Sequence, residues 1–153
     1  MSIANGAFID RELERLEIPD SVKQIGAGAF CRTGLKRVRL PHSIKRIAIE
    51  CFEGCQLEEV VVPEGVERIG DGAFSQNPCL KELVLPGTLT SLGWDVLSGC
   101  DKLTKVTGPA SLKLLSIKVL KDAGLEDRNG QRLHSERTKT TINGKEYVTM
   151  VLS

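Results

Sequence analysis

Five prolines recur along this chain at nearly constant intervals: Pro19, Pro41, Pro63, Pro86 and Pro109 are separated by 22, 22, 23 and 23 residues. A repeat of that length constrains the fold more than any single motif. Each unit is too short to bury an apolar face alone and must stack on copies of itself. Other columns follow the same period. Ahead of each proline stand Leu13, Leu35, Leu57, Leu80 and Leu103, then Leu16, Val38, Val60, Leu83 and Val106, then Ile18, Leu40, Val62 and Leu85, with Gly108 breaking the last column. Behind it stand Val22, Ile44, Val66 and Leu89, then Ile25, Ile47, Ile69 and Leu92, continued by Leu112 and Leu115. All four phenylalanines, Phe8, Phe30, Phe52 and Phe74, share one column, which Leu97 and Leu120 extend.

The alternation in Leu16-Glu17-Ile18 and Val60-Val61-Val62 has period two, which predicts a short strand per unit with one face inward. Proline closes that strand where losing an amide donor matters least. The second apolar pair, such as Val66 and Ile69, turns the chain back over the core. Glycines in Gly26-Ala27-Gly28 and Gly70-Asp71-Gly72 mark the corners, where positive φ is tolerated. No Lys-Ser/Thr follows them, so they do not form a phosphate-binding loop. The expected fold is a mainly β repeat solenoid of about five 22-23-residue rungs with a parallel sheet, plus a C-terminal β-hairpin.

With these columns in place, residues 7 to about 120 resemble the BspA-like leucine-rich repeats, whose unit reads L-x-x-I-x-I-P-x-x-V-x-x-I-G-x-x-A-F-x-x-C-x-x-L. The match is closest over residues 13–74. The resemblance implies a right-handed, curved solenoid with a parallel sheet and a second line of short strands. It also implies protein recognition and adhesion, commonly in surface or secreted bacterial proteins and in some protist proteins.

Composition agrees with one soluble domain: 153 residues, 41% hydrophobic and 27% charged. The net charge of +1 gives no bulk field to select nucleic acid or an anionic membrane, and no apolar run approaches the length of a membrane span. The chain divides into a solenoid over residues 1–124 and a polar turn with a hairpin, cap or arm, over residues 125–153. Ile3-Ala4-Asn5-Gly6-Ala7-Phe8 superposes on Ile25-Gly26-Ala27-Gly28-Ala29-Phe30, so the first residues enter in mid-unit. The chain therefore reads either as a piece of a longer protein, cell-surface or secreted by family resemblance, or as a short protein with a bare upper edge.

The outward positions of the main strands form two candidate binding columns: Arg15, Arg37, Glu59, Glu82 and Lys105, and Glu17, Arg39, Val61, Val84 and Thr107. Val61 and Val84 make an apolar spot rimmed by charge. Between Cys31 and Ile49 every charge is basic, and between Glu50 and Asp71 all are acidic except Arg68. Stacking equivalent residues about 4.8 Å apart sets Lys36 beside Glu58, Arg37 beside Glu59 and Lys45 beside Glu67, so these charges are expected to pair with one another.

Nothing in the sequence reads as catalysis, a metal site or a cofactor site. The five cysteines, Cys31, Cys51, Cys55, Cys79 and Cys100, are an odd number without a C-x-x-C pair. They are expected as free thiols, a Cys55 to Cys79 bridge being the exception to test. His42 and His134 lie far apart, and no serine sits in a nucleophile elbow. Trp94 is expected to be partly buried; with Tyr147 it is the most that could serve stacking on nucleic acid.

After the fourth unit the repeat decays. Leu112, Leu114, Leu115, Ile117, Val119 and Leu120 recur at a spacing that could be helical, and a polar stretch with Asn129-Gly130 follows. Residues 138–152 carry Asn143-Gly144 between β-rich arms, a hairpin signal. An isolated hairpin is marginal, so Ile142, Tyr147 or Met150 should rest on something. The hairpin either caps the fifth rung or pairs with a second chain. The reading that follows is a non-catalytic protein-binding module working through the exposed sheet face. Its alternative is a self-assembly unit, a homodimer through the N-terminal edge or the C-terminal hairpin.

Overall fold

The computed structural model describes residues 1–111 and 135–152. The spacing at 112–120, the Asn129-Gly130 turn, His134 and the division near residue 124 lie outside the described residues. Twelve strands follow in order: β1 (Ser2–Ile3), β2 (Arg15–Glu17), β3 (Gln24–Ile25), β4 (Arg37–Arg39), β5 (Arg46–Ile47), β6 (Glu59–Val61), β7 (Arg68–Ile69), β8 (Glu82–Val84), β9 (Ser91–Leu92), β10 (Lys105–Pro109), β11 (Ser135–Ile142) and β12 (Lys145–Leu152). The three-residue strands β2, β4, β6 and β8, with the five-residue β10, stack as a main line, and the two-residue strands as a second line, β1, β3, β5, β7 and β9. Every pairing within these lines is parallel and joins equivalent residues, for instance Leu16 with Val38 and Val60 with Leu83. The expected solenoid is therefore present, one coil per proline interval.

The inward columns form one continuous core. Leu35, Leu57 and Leu80 are fully buried, as are Val66, Phe52 and Phe74. The phenylalanines stack face to face along the axis, with centroids 5.2, 5.4 and 5.7 Å apart and planes within 3 to 6° of parallel. Each ring covers the next, and Phe8 at the first coil is only partly buried.

Beside this stack runs a column of small polar groups that ties rung to rung. Asn77 is completely buried; its amide donates to the carbonyls of Phe52 and Phe74, at 2.9 and 2.8 Å, and its Oδ1 accepts from Leu57 N–H. Cys55 and Cys100 fill the same slot with weaker donors, to the carbonyls of Phe30 and Phe74, and Thr33 does so with its hydroxyl. A buried carbonyl needs some partner, and this slot supplies one per rung. All five cysteines are free thiols, and Cys79, the one partly exposed, contacts Gln56 at 3.3 Å.

The second rung pairs on one side only in each line. In the main line β4 pairs with β2 but not with β6, and in the second line β5 pairs with β7 but not with β3. The sheet expected as continuous is thus divided, for identifiable local reasons. The amide after each main strand normally bonds across: Ile18 to Arg39, Val62 to Val84 and Leu85 to Thr107, at 3.0, 2.9 and 2.7 Å. The bond from Leu40 to Val61 that would complete the series does not form. Just beyond, side chains clamp the neighbouring junctions. Asp20 accepts from His42 N–H and the Ser43 hydroxyl donates to the Val22 carbonyl; Glu64 accepts from Gly87 N–H and the Thr88 hydroxyl donates to the Val66 carbonyl. The same two columns between the second and third rungs hold His42 and Gly65, which offer neither a carboxylate nor a hydroxyl.

The lapse in the second line has a steric origin. Gly26, Gly70 and Gly93 share a column in which the backbone lies against the preceding rung, so that a Cβ on Gly70 would sit 2.7 Å from Ile49 N. Position 48 of that column is alanine. Its methyl holds the second rung off the first, and the Ala48 to Ile25 bond is missing where Gly26, Gly70 and Gly93 each make theirs at 2.8 Å.

The C-terminal hairpin folds onto its own chain. β12 pairs antiparallel with β10, setting Thr149 opposite Thr107 and Val151 opposite Lys105, and β11 pairs with β12. Met150 and Tyr147 are buried, whereas Ile142 is 49% exposed and rests on little. The Tyr147 hydroxyl donates to Glu64 Oε1 at 2.8 Å, the same oxygen that takes Gly87 N–H. Burial alone would raise the Glu64 carboxyl, but the Gly87 amide, the Tyr147 hydroxyl and the charge of Lys145 outweigh it and hold the group below its ordinary value. The hydrogen bond to Glu64 pushes the Tyr147 hydroxyl upward. Within this chain the hairpin lies along β10 and is latched to the third rung through Tyr147 and Glu64.

Candidate protein-binding face

The main line presents both expected columns outward. Register neighbours are Arg15 with Arg37, Glu17 with Arg39, Glu59 with Glu82, Val61 with Val84, and Lys105 with Glu82. In the first column like charges therefore lie side by side, Arg15 with Arg37 on the first two rungs and Glu59 with Glu82 on the next two, while in the second Glu17 lies beside Arg39. Adjacent like charges are unfavourable unless something else neutralises them.

The expected pairing of second-rung cations with third-rung acids does not occur. Lys36 reaches back to Glu14 at 3.8 Å, Arg39 to Asp20 at 4.0 Å, and Lys105 to Glu82 at 3.6 Å. Arg15, Arg37, Glu58, Glu59 and Lys81 make no ion pair among the described residues, and neither do Lys45 and Glu67. The lapse between β4 and β6 accounts for Arg37 and Glu59, because the two strands that would align them are not in register contact.

That lapse opens a cleft of about 540 Å³ across the middle of the face, lined by Arg37, Arg39, His42, Glu58, Glu59 and Val61 among others. Val61 stands 64% exposed at its upper lip, and Val84 beside it is half-buried. The structure thus brings Arg37, Arg39, Glu59 and Val61 around one opening. It leaves Arg15 and Glu17 below the opening, with Glu82, Val84, Lys105 and Thr107 above it; Thr107 is tied to Thr149 of the cap. Among the described residues no His, Cys, Asp and Glu cluster could hold a metal ion. Burial pushes the thiols of Cys51 and Cys100 up to about 12 and about 11, so neither is a nucleophile near neutrality.

Two exposed apolar residues were not foreseen. Trp94 is 72% exposed, not partly buried, and Ile49 is 51% exposed. Both lie in the corner column Asn5, Ala27, Ile49, Asp71, Trp94. Asn5 and Asp71 in that column accept the backbone amides of Ala27 and Trp94, which turns the column outward. A column of small and polar residues is a legible signal that a tryptophan in it faces solvent. Between this column and Arg46 and Arg68 runs a second hollow of about 440 Å³.

Comparison with known proteins agrees with this architecture. The BspA type leucine rich repeat region, as a family description, matches residues 1–126 in six copies. Among solved structures, a leucine rich cell surface protein of Faecalibacterium prausnitzii is similar, with TM-score 0.70 and 28% identity over 76% of this chain and 32% of the other. The pneumococcal antigen PcpA (TM-score 0.39, 24% identity, 67% of this chain and 41% of that one) and a Treponema pallidum leucine rich repeat protein (0.38, 24%, 78% and 76%) are more distant. This chain spans about a third of the F. prausnitzii protein's length. No curated protein matches it. Among the described residues no helix is long and apolar enough to cross a membrane.

Proposed function

The chain belongs to the BspA type leucine-rich repeat family, and we propose that it is a non-catalytic module that holds a protein partner against the outward face of its main sheet. The observation that carries this reading is the cleft between β4 and β6, where an exposed valine sits among Arg37, Glu58 and Glu59, which have no ion pair among the described residues. Such a site suits a protein surface better than a small molecule. It is shallow, lined by long charged side chains around one apolar anchor, and carried on stacked strands that keep its spacing. The similarity to a bacterial cell surface protein supports a surface setting and an adhesive role for the intact protein.

The test uses the binding partner captured from the natural setting of the protein. Arg37→Ala combined with Val61→Asp should weaken capture by at least about tenfold, the loss typical of central anchors. Trp94→Ala, in the second strand line, should leave it unchanged. Undiminished capture by the Arg37 and Val61 variant, with the fold intact by circular dichroism, would sink the reading.

A further inference from the structure

In the columns through Lys36 and Glu58 and through Arg37 and Glu59 the charges are antisymmetric about the cleft, and we infer that one partner of this face is a second copy of the same chain. The inference rests on the reading of this face as the binding surface. It goes further by naming the chemistry of what binds.

Consider a two-fold axis parallel to the strands and midway between β4 and β6. It keeps every column in place and inverts the order of the rungs, so the second rung of one copy meets the third rung of the other. Lys36 then faces Glu58 of the second copy, and Arg37 faces Glu59. One step outward, Glu14 faces Lys81 and Arg15 faces Glu82. All four relationships join opposite charges, and the symmetry repeats each of them. The second outward column sets the stem of Arg39 over Val61 of the other copy, apolar methylenes on an exposed valine.

Within one chain these charges are poorly served. Arg15 lies beside Arg37 and Glu59 beside Glu82, and Arg15, Arg37, Glu58, Glu59 and Lys81 have no ion pair among the described residues. Glu14 and Glu82 are engaged only by solvent-exposed lysines, at 3.8 and 3.6 Å, contacts that exchange at little cost. A second copy supplies to each half of the face the sign it lacks. The four strands that overlap about this axis, β2, β4, β6 and β8, cover about 15 Å by about 10 Å, well below the roughly 800 Å² per partner of a standard interface. The dimer is therefore weak and dissolves as salt screens the charges.

Sedimentation of the purified chain from micromolar to millimolar concentration, at low and at high salt, reads this directly. The mass should rise from the monomer's 16.7 kDa toward twice that value at low salt and return to it at high salt. Two variants decide the geometry. K36E/R37E makes both central rungs acidic and E58K/E59R makes both basic, so each alone should remain monomeric, while an equimolar mixture should associate more tightly than the unaltered chain does with itself. Circular dichroism confirms that each variant folds. Should one of them fail to fold, R37E and E59R as single substitutions give the same mixing test. A chain that stays monomeric at millimolar concentration and low salt overturns the inference. So does a dimer that survives in both variants alone, which would place the contact on the rung edges or the hairpin. Neither result touches capture of a different protein by the face, which is read separately with the Arg37 and Val61 variant.

Discussion

The upper rungs and the second rung are built from nearly the same sequence and behave differently. From the third rung to the fifth, β6, β8 and β10 form one unbroken ladder, and the second-line strands β7 and β9 pair as well. Glu64 and Thr88 clamp the turns between the third and fourth rungs, and the cap closes the top. The second rung keeps the same apolar columns and the same phenylalanine stack, yet it pairs downward with one strand and upward with the other. The buried side chains therefore set the order of stacking, whereas a few surface-turn residues decide whether neighbouring backbones close. The comparison also locates the candidate face, since the cleft is what remains where closure fails.

The comparison breaks most severely at Asn77, which joins the third and fourth rungs from inside. Asn77→Ala leaves two buried carbonyls and the Leu57 amide with one partner fewer, so stability should fall by about 3 kcal/mol, from the unsatisfied groups and the lost bonds together. Cys55→Ala, in the equivalent slot one rung down, should cost less because a thiol is a weaker donor. Urea unfolding of both variants would rank them, and an equal loss would contradict the account of the slot.

The glycine column gives a reciprocal pair with a smaller effect. Gly70→Ala should pry the third rung from the second and cost about 2 kcal/mol, as inserted methyls do in tight packing. Ala48→Gly should do the reverse. It should slow amide exchange at residues 45 and 48 and leave stability unchanged or slightly raised, although glycine for alanine ordinarily costs about 0.5 to 1 kcal/mol. A destabilisation of that ordinary size, without new exchange protection, would remove the steric explanation of the lapse.

The smallest effect concerns the latch. Tyr147→Phe should cost about 1 kcal/mol, the net worth of one hydrogen bond, and should loosen the cap before the core. The Glu64 carboxyl is held below its ordinary 4.5, so its contribution is present above that value and is lost as pH falls through its lowered range. The Tyr147 hydroxyl is held above its ordinary 10.0, so its contribution is present below that value and disappears as pH rises through its raised range. The wild-type cap should therefore loosen at both extremes, and the Phe variant should lack the alkaline limb. An alkaline limb of unchanged size in the variant would assign it to another group.

Much of this was legible in the sequence. The proline period and the apolar columns place every main strand, the Phe column identifies the stack, and the slot holding Thr33, Cys55, Asn77 and Cys100 is visible as a column. Asn143-Gly144 gives the hairpin turn. The division of the sheet escaped because it depends on what two turn positions fail to offer, at His42 and Gly65, and on a single methyl at Ala48. Each is an unremarkable residue until the neighbouring rungs show what its column does. For Arg37 and Glu59 the charge pairing fails for the same reason, because their strands do not pair; Lys36 instead reaches back to Glu14. The exposure of Trp94 follows from its column, whose Asn5 and Asp71 face outward.

Coils stacked in this way carry any pull between their ends in series, so the weakest seam sets the force at which the whole string parts. Here that seam is the pair of open joints flanking the second rung, not the latched top. A load drawn through the molecule would be felt first at the cleft, before the paired strands above it part.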